Sequence, residues 1–176
     1  MIVDTIGERA KRIRLVILDV DGVLTDGRIV YDANGVESKF FNVKDGHGIK
    51  LLQRAGIRVA IISGRESQVV TRRAAELGID LVYQRALDKV GPYREILEIT
   101  GFTDDEIAYM GDDLPDIPLM SRVGLAVAPA DALDYVLPHA HIVSAKKGGW
   151  GAVREICDLI IREQGLWDEV CGKYFT

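Results

Sequence analysis

Short, uninterrupted apolar runs recur along the chain, and stretches with helical periodicity separate them. Leu15–Leu18 is the first of these runs, and Arg58–Ile62 and residues 106–110 and 123–127 have the same character. A run without polar alternation is typical of a strand buried on both faces, as in a parallel sheet. The alternation of such strands with helices predicts a doubly wound, mostly parallel α/β sheet with right-handed crossovers.

The segments between these runs predict helices on both faces of the sheet. We expect helices over residues 4–11, 49–54, 66–77, 89–100, 130–137 and 153–163, with two further short strands at residues 78–83 and 141–143. The first helix would cover one end of the sheet, and Asp45 and Asp88 are placed to cap the helices that follow them. No repeat or linker interrupts the pattern, so residues 1–176 are predicted to form a single domain.

Residues 27–42 depart from this alternation and predict a β-hairpin. Asn34-Gly35 lies between two β-prone segments, which is a strong hairpin signal. Because the hairpin follows the first acidic motif, we expect it to stand over the site as a flap. Its aromatic residues, and those of the tail at residues 165–176, would be exposed in a monomer. We therefore expect flaps and tails to contact neighbouring subunits of an oligomer.

Composition and charge exclude several classes of protein. Hydrophobic residues make up 48% of the chain, and the net charge is −5 with no basic run, which argues against nucleic-acid binding. No apolar run approaches the roughly 20 residues of a membrane span, and residues 1–14 lack the apolar core of a signal peptide. Cys157 and Cys171 have no metal-ligand spacing, so a cytoplasmic protein without disulfides is expected.

Carboxylates follow two of the predicted strands. Asp19 and Asp21 come directly after the first, and Asp112 comes after the strand at residues 106–110. Carboxylates that meet at the carboxyl edge of a parallel sheet repel each other unless a cation lies between them. A calcium-binding EF-hand loop is excluded, because Val23 and Val30 would occupy two of its ligand positions. Solvated acidic loops remain the simpler alternative for either motif alone.

A hydroxyl and a lysine occupy two further element ends. Ser63 follows the strand Arg58–Ile62 and precedes Gly64, an arrangement that exposes a hydroxyl and backbone N–H groups to an anion. Lys89 begins a predicted helix, where its charge opposes the helix dipole. Each signal is weak alone, and a surface position is the ordinary explanation for a lysine. His47 is interpreted as a polar loop residue, since no second histidine accompanies it.

Taken in order, these four motifs resemble those of the haloacid dehalogenase-like phosphotransferases, and residues 19–26 carry most of the resemblance. The resemblance implies that Asp19 attacks phosphorus to form an aspartyl-phosphate. It implies that the Asp21 side chain protonates the leaving oxygen and then activates water. Ser63 and Lys89 would bind the transferring phosphoryl group.

The same resemblance implies a Mg²⁺ cofactor. Its ligands would be the carboxylates of Asp19 and Asp112 and the backbone carbonyl of Asp21. Asp113 and Asp116 would orient the waters of the metal ion or Lys89. Only a hairpin and a helix separate the first two motifs, which is similar to the members of the family that have no separate cap domain.

Longer segments are similar to the 3-deoxy-D-manno-octulosonate 8-phosphate (KDO 8-phosphate) phosphatases, homotetramers in lipopolysaccharide precursor synthesis. These segments are residues 19–27, 41–46, 62–65, 111–114 and 148–155. The resemblance implies that a phosphorylated 2-keto-3-deoxy sugar acid is the substrate and that some of its contacts cross a subunit boundary. The implied substrate-binding residues are Asp21, Asn42, Val43, Lys44, Asp45, Gly46, Lys50, Arg65, Arg73 and Lys89.

Two positions bear on which sugar acid is bound. Arg65 favours the eight-carbon substrate, because the sister enzymes for nine-carbon sialic-type acid 9-phosphates typically carry Glu in that position. Trp150 departs from the family, where Arg is common. Two alternative functions stay open at this point. One is a phosphatase for a nine-carbon sugar acid phosphate, and the other is a non-catalytic assembly module. A receiver-like regulatory domain would need an acid after the third strand, where this chain has Tyr83 and Gln84.

Overall fold

A computed structural model describes residues 4–175, so that Met1 to Val3 and Thr176 lie outside the described part. The strands are β1 Leu15–Leu18, β2 Val30–Tyr31, β3 Glu37–Ser38, β4 Arg58–Ile62, β5 Leu81–Tyr83, β6 Ile107–Met110, β7 Leu125–Ala128 and β8 Ile142–Val143. Six of them form one sheet in the order β5-β4-β1-β6-β7-β8, and every neighbouring pair is parallel. The predicted doubly wound α/β fold is confirmed.

The order of the strands locates the site. Numbered along the chain, the six strands run 3-2-1-4-5-6, with the reversal of direction between β1 and β6. Ligands of doubly wound sheets bind at this switch point, outside the carboxyl ends of the strands. Receiver domains have the order 2-1-3-4-5, so the topology excludes the receiver-like alternative.

Helices cover both faces of the sheet. They are α1 Ile6–Arg12, α2 Val43–Arg54, α3 Gln68–Leu77, α4 Val90–Thr100, α5 Ile117–Met120, α6 Ala152–Glu163 and α7 Trp167–Cys171. Val16 and Leu18 of β1 face the core beneath α2 and α6, and Leu15 and Ile17 face the core beneath α4. Because β1 is buried on both faces, its carboxyl end is a rigid base for the residues that follow.

The prediction that Asp45 caps the helix after the hairpin is wrong. That helix begins earlier, and Asn42 caps it by accepting the N–H of Lys44 at 2.8 Å. The buried carboxylate of Asp45 instead accepts the N–H groups of Gly151 (3.3 Å) and Arg154 (2.8 Å), at the start of α6. The predicted cap thus acts on a helix more than 100 residues further along the chain.

The predicted helix at residues 130–137 is wrong. This segment contains turns and a single 3₁₀ turn, Leu137–His139. The N–H of Leu133 donates to the carbonyl of Asp112 at 3.2 Å, and the carboxylate of Asp131 accepts the N–H of Gly148 at 2.9 Å. Backbone and side-chain groups that a helix would use locally are therefore bonded to distant loops.

The predicted hairpin is present, although its paired strands are shorter than expected. Val30 pairs with Ser38 and Tyr31 with Glu37, in a sheet separate from the main one. Asp32 stabilises the turn, since its Oδ1 accepts the N–H groups of Asn34 and Val36 at 2.8 Å each. We call residues 28–41 the flap. The flap has exposed aromatic residues, as the predicted contacts between subunits would require. A single chain does not test those contacts, so the oligomer stays a prediction.

The C-terminal tail packs on its own chain. Val170 and Cys171 of α7 are buried in the core, and the hydroxyl of Tyr174 accepts a hydrogen bond from Arg54 of α2 at 2.7 Å. Phe175 stays exposed, so a contact with a neighbour remains a prediction for that residue. Cys157 and Cys171 are both free thiols. No helix in the described part of the chain is long and apolar enough to span a membrane.

Candidate active site

A cleft of about 200 Å³ lies at the switch point between β1 and β6. It combines every predicted catalytic and metal-binding side chain with Arg65. The lining residues are Asp19, Asp21, Ser63, Gly64, Arg65, Ala86, Leu87, Lys89, Asp112, Asp113, Pro115 and Asp116.

The first acidic motif continues the main sheet and then turns sharply. The N–H of Asp19 donates to the carbonyl of Met110 at 3.1 Å, which extends the pairing of β1 with β6 by one residue. Gly22 in the following turn has φ +91°, a conformation that L side chains rarely adopt. A Cβ on Gly22 would lie 2.0 Å from Oδ2 of Asp112. The glycine therefore allows the two acidic motifs to come into contact.

Two further glycines, Gly148 and Gly149, pack against this turn. A Cβ on Gly148 would lie 1.8 Å from the carbonyl oxygen of Gly22, and the N–H of Gly149 donates to the carbonyl of Val23 at 2.9 Å. The glycine-rich segment before α6 thus packs against the turn that follows Asp19. The sequence had left open whether this segment binds an anion or only turns the chain.

Lys89 links the two acidic motifs. It is 4% exposed, and its Nζ lies 2.9 Å from Oδ1 of Asp19 and 2.6 Å from Oδ1 of Asp116. Burial lowers the pKa of Lys89, but the two carboxylates outweigh this effect and hold the pKa above its ordinary value. The side chain is therefore a fixed positive charge beside Asp19.

Asp116 is saturated with hydrogen bonds. Its Oδ1 accepts from Lys89 and from the hydroxyl of Tyr109, and its Oδ2 accepts the N–H groups of Asp112 (2.9 Å) and Asp113 (3.1 Å). Burial, followed by the charge of Asp116, raises the pKa of Tyr109 well above its ordinary value, so its hydroxyl remains a donor. These contacts suit a residue that holds Lys89 in place.

The arrangement fits a divalent cation. Asp19, Asp112 and Asp116 each offer a carboxylate oxygen, and these atoms lie within 4.8 Å of one another. Oδ1 of Asp112 is buried, and no other described residue hydrogen-bonds to it. Burial and then repulsion by Asp19 raise the pKa of Asp112 to about 8. Because both oxygens of Asp116 already accept two hydrogen bonds each, Asp19 and Asp112 are the carboxylates with more capacity for a hard cation such as Mg²⁺.

Burial also raises the pKa of Asp19, although Lys89 opposes this effect. A proton or a metal ion therefore has to compensate part of the negative charge in the cleft. A bound divalent ion would favour the ionised form of both acids, because it replaces repulsion with attraction.

The side chain of Asp21 faces the flap. Lys39 pairs with its Oδ1, and Nε of Arg65 lies 3.9 Å from its Oδ2. Glu37 of β3 joins both cations, at 3.4 Å from Nζ of Lys39 and 3.1 Å from Arg65. This ionic cluster attaches the flap to the mouth of the cleft.

Ser63 and Arg65 also line the cleft. Ser63 is buried, and its backbone bonds to Tyr83 at 2.8 Å and Ala86 at 3.0 Å fix it at the end of β4. Arg65 also donates to the hydroxyl of Tyr31 on the flap at 3.0 Å. Asp113 caps the 3₁₀ turn Leu114–Asp116 at the rim.

The remaining predicted substrate-binding residues do not line the cleft. Lys50 donates to the carbonyl of Leu77 at 2.6 Å, and Arg73 pairs with Glu76 on α3. Contacts across a subunit boundary stay a prediction, since one chain does not test them. The residues concerned are Asn42, Val43, Lys44, Asp45, Gly46, Lys50 and Arg73.

Relatives of known activity share nearly the whole chain. Residues 79–156 match the model of the haloacid dehalogenase-like hydrolases. The chain is 48% identical to the KDO 8-phosphate phosphatase of Escherichia coli strain K12 over 165 residues, which cover 94% of this chain and 88% of that protein. The chain belongs to the KDO 8-phosphate phosphatase family.

Solved structures of this family have the same fold. The Yersinia pestis KDO 8-phosphate phosphatase is 48% identical with a TM-score of 0.92, covering 95% of this chain and 90% of that one. The Moraxella catarrhalis enzyme is 38% identical with a TM-score of 0.93, covering 96% and 97% respectively. That enzyme was solved in complex with a magnesium ion, a phosphate ion and KDO.

Three residues that contact the site were not predicted from the sequence: Glu37, Lys39 and Tyr109. Glu37 lies in the hairpin strand β3 and Lys39 directly follows it, in positions where charged residues are ordinarily solvent-exposed. Tyr109 lies inside an apolar run, and only the polarity of its hydroxyl distinguishes it from the core residues around it. The signal available for Lys39 was a lone charge between Ser38 and Phe40, which does not specify a partner.

Gly22→Ala should reduce activity roughly 10- to 100-fold, since an error of about 1 Å in position costs on this scale. The new methyl group would displace Asp112 and force a strained backbone. Gly35→Ala is the matched control, because Gly35 also has a positive φ, +78°, but nothing lies within 4 Å of its Cβ position. Equal losses of phosphate release in the two variants would show that backbone strain, and not contact with Asp112, limits position 22.

Proposed function

We propose that this protein is a Mg²⁺-dependent phosphatase that hydrolyses KDO 8-phosphate to KDO and inorganic phosphate. The observation that carries the proposal is the buried cluster at the switch point. Lys89 lies between Asp19 and Asp116, and Asp112, which has a buried oxygen without a hydrogen-bond partner among the described residues, lines the same cleft. The high identity to KDO 8-phosphate phosphatases over most of the chain supports the choice of substrate.

In the first half of the reaction, Asp19 attacks phosphorus and the bond to the sugar oxygen breaks, leaving an aspartyl-phosphate. The Asp21 carboxyl gives its proton to the departing sugar oxygen. Lys89 and the Ser63 hydroxyl stabilise the transferring phosphoryl group, and such electrostatic stabilisation dominates phosphoryl transfer. Mg²⁺, held by Asp19, Asp112 and the backbone carbonyl of Asp21, would neutralise charge on the phosphate.

In the second half, the Asp21 carboxylate takes a proton from a water molecule. The oxygen of this water attacks phosphorus, and the bond to Asp19 breaks. The products are inorganic phosphate and the original carboxylate of Asp19. Because Asp21 regains the proton that it gave to the sugar, it is ready for another cycle.

Substrate recognition extends beyond the phosphoryl group. The guanidinium of Arg65 suits the carboxylate of the sugar acid, because it can bind two oxygens at once. The predicted residues of α2 and α3 would contact substrate across the subunit boundaries of a homotetramer. The proposed setting is cytoplasmic, in the synthesis of lipopolysaccharide precursors.

The test is phosphate release from KDO 8-phosphate, compared with a panel of phosphorylated metabolites, with Mg²⁺ or with EDTA. We expect KDO 8-phosphate to have the highest kcat/KM and EDTA to abolish turnover. Release that is unaffected by EDTA, or absent from every phosphate ester in the presence of Mg²⁺, would contradict the proposal and favour a non-catalytic module.

A nine-carbon sugar acid 9-phosphate is the second candidate substrate, and Arg65 decides between the two. Arg65 lies at the rim of the cleft and is held by Glu37 and Tyr31 of the flap. In the same assay, wild type should prefer the eight-carbon substrate, and Arg65→Glu should lose that preference. Equal kcat/KM values of wild type on both substrates would defeat the argument from Arg65.

A further inference from the structure

The side chain of Lys39, on the flap, is buried, and burying a lysine side chain costs free energy. Only 1% of its side chain is exposed, and its Nζ lies between the carboxylates of Asp21 and Glu37. Removing an ammonium group from water costs several kcal/mol, and a buried ion pair seldom recovers more than this cost. A stabilising role alone is therefore a poor explanation for this residue.

The contacts of Asp21 show what Lys39 does in this structure. Lys39 pairs with Oδ1 of Asp21, whereas Oδ2 of Asp21 lies 3.9 Å from Nε of Arg65. The ion pair with Lys39 is thus the close contact that restrains the rotation of the Asp21 carboxylate. Glu37 holds Lys39 from the other side, at 3.4 Å, so the lysine keeps a partner when Asp21 carries a proton.

We propose that Lys39 is a positioning residue, which holds the Asp21 carboxyl group in the orientation needed for proton transfer to the leaving sugar oxygen. The proposal rests on the proposed function, because it assigns Asp21 as the general acid. It adds a part for the flap, because the hairpin that carries Lys39 and Glu37 to the mouth of the cleft would also orient the acid.

Loss of Lys39 should leave the protein folded. In Lys39→Met, an apolar chain of similar length fills the buried space. Glu37 keeps Arg65 at 3.1 Å and the hydroxyl of Ser67 at 2.5 Å, and Asp21 keeps access to the cleft. No carboxylate is then buried without a partner, which is the usual cause of severe destabilisation when one member of an ion pair is removed.

The test compares two phosphate esters that differ in their need for an acid. A sugar alkoxide leaves poorly without a proton, whereas the phenolate of 4-nitrophenyl phosphate leaves unassisted. Lys39→Met should lower kcat/KM on KDO 8-phosphate about 10- to 100-fold, part of the 10²–10⁴-fold that a general acid supplies. It should change kcat/KM on the aryl ester little, because kcat/KM reports the step in which the leaving group departs.

Three controls separate positioning from other roles. Inhibition by inorganic phosphate should be the same in Lys39→Met and wild type, because the phosphoryl site is intact. Asp21→Asn combined with Lys39→Met should be no slower than Asp21→Asn alone, and Lys39→Arg should recover part of the lost rate. Lys11→Met, at an exposed position on α1, controls for the loss of a lysine charge.

The outcomes distinguish the two proposals. Equal losses on both esters, or weaker inhibition by phosphate, would overturn the positioning role, because Lys39 would then bind the phosphoryl group itself. The positioning role would also be overturned if the losses of rate caused by Lys39→Met and by Asp21→Asn were fully additive in the double variant. If wild type released phosphate from neither ester in the presence of Mg²⁺, the proposed function would fail instead.

Discussion

Asp19→Asn is expected to reduce turnover by at least about 10⁴-fold, the scale on which the loss of a catalytic nucleophile acts. An amide cannot attack phosphorus or form the acyl-phosphate, although it has nearly the same size as the carboxylate. The surrounding structure should persist, because Lys89 keeps its ion pair with Asp116 at 2.6 Å and the backbone N–H of residue 19 still donates to Met110. The measurements are phosphate release from KDO 8-phosphate and thermal unfolding.

Asp80→Asn is the matched control for this variant. Asp80 is exposed and lies just before β5, at the amino end of the sheet, so the same chemical change occurs far from the cleft. We expect that control to match wild type in both measurements. Turnover of Asp19→Asn at the wild-type rate would mean that another group attacks phosphorus.

Asp112→Asn should have opposite effects on activity and on stability. Turnover should fall about 10³-fold, because the cleft would lose a metal ligand and the electrostatic stabilisation that depends on it. The metal-free protein should become more stable at about pH 8, by about 1–2 kcal/mol or roughly 2–8 °C in Tm. The reason is that the variant has no carboxylate at position 112 whose ionisation is opposed by burial and by repulsion from Asp19 and Asp116.

The sign of this effect follows from the pKa of Asp112. Burial and then Asp19 raise it from 3.8 to about 8, so the folded state binds this proton more tightly than the unfolded state does. The contribution of Asp112 to stability is therefore complete below its unfolded pKa and is lost as the pH rises towards about 8. At about pH 3, below the unfolded pKa of 3.8, the carboxyl group is mostly protonated in both states, and the two proteins should differ much less.

Magnesium gives a second comparison for the same pair of proteins. A ligand that binds only the folded state raises Tm, so Mg²⁺ should stabilise wild type, most strongly at alkaline pH, and have little effect on Asp112→Asn. Equal Mg²⁺-induced shifts in the two proteins would exclude Asp112 as a ligand of the ion.

The fold and the centre of the site could be predicted because both depend on local patterns. An apolar run that ends in Asp19 specifies a buried strand and a carboxylate at its end. Parallel pairing then brings Asp112 to the same edge without any knowledge of the intervening chain. The same reasoning placed Ser63 and Lys89, since each lies at the end or the start of an element.

Features that depend on distant contacts could not be predicted in this way. Asp45 has the sequence position of a local cap, yet its bonds go to α6. Residues 130–137 have helical composition, yet Leu133 bonds to the carbonyl of Asp112. Lys39 has the position of a solvated strand residue, yet Asp21 and Glu37 enclose it. In each case a partner far along the chain overrides the local preference.

The packing of Gly148 and Gly149 against the turn that follows Asp19 has a consequence for biosynthesis. During translation Asp19 leaves the ribosome early, whereas the backbone that packs against the turn after it emerges more than 120 residues later. A nascent chain therefore carries the Asp19 carboxylate well before the turn that follows it is supported. We expect phosphatase activity to begin only after this late segment has been released and has packed against the turn.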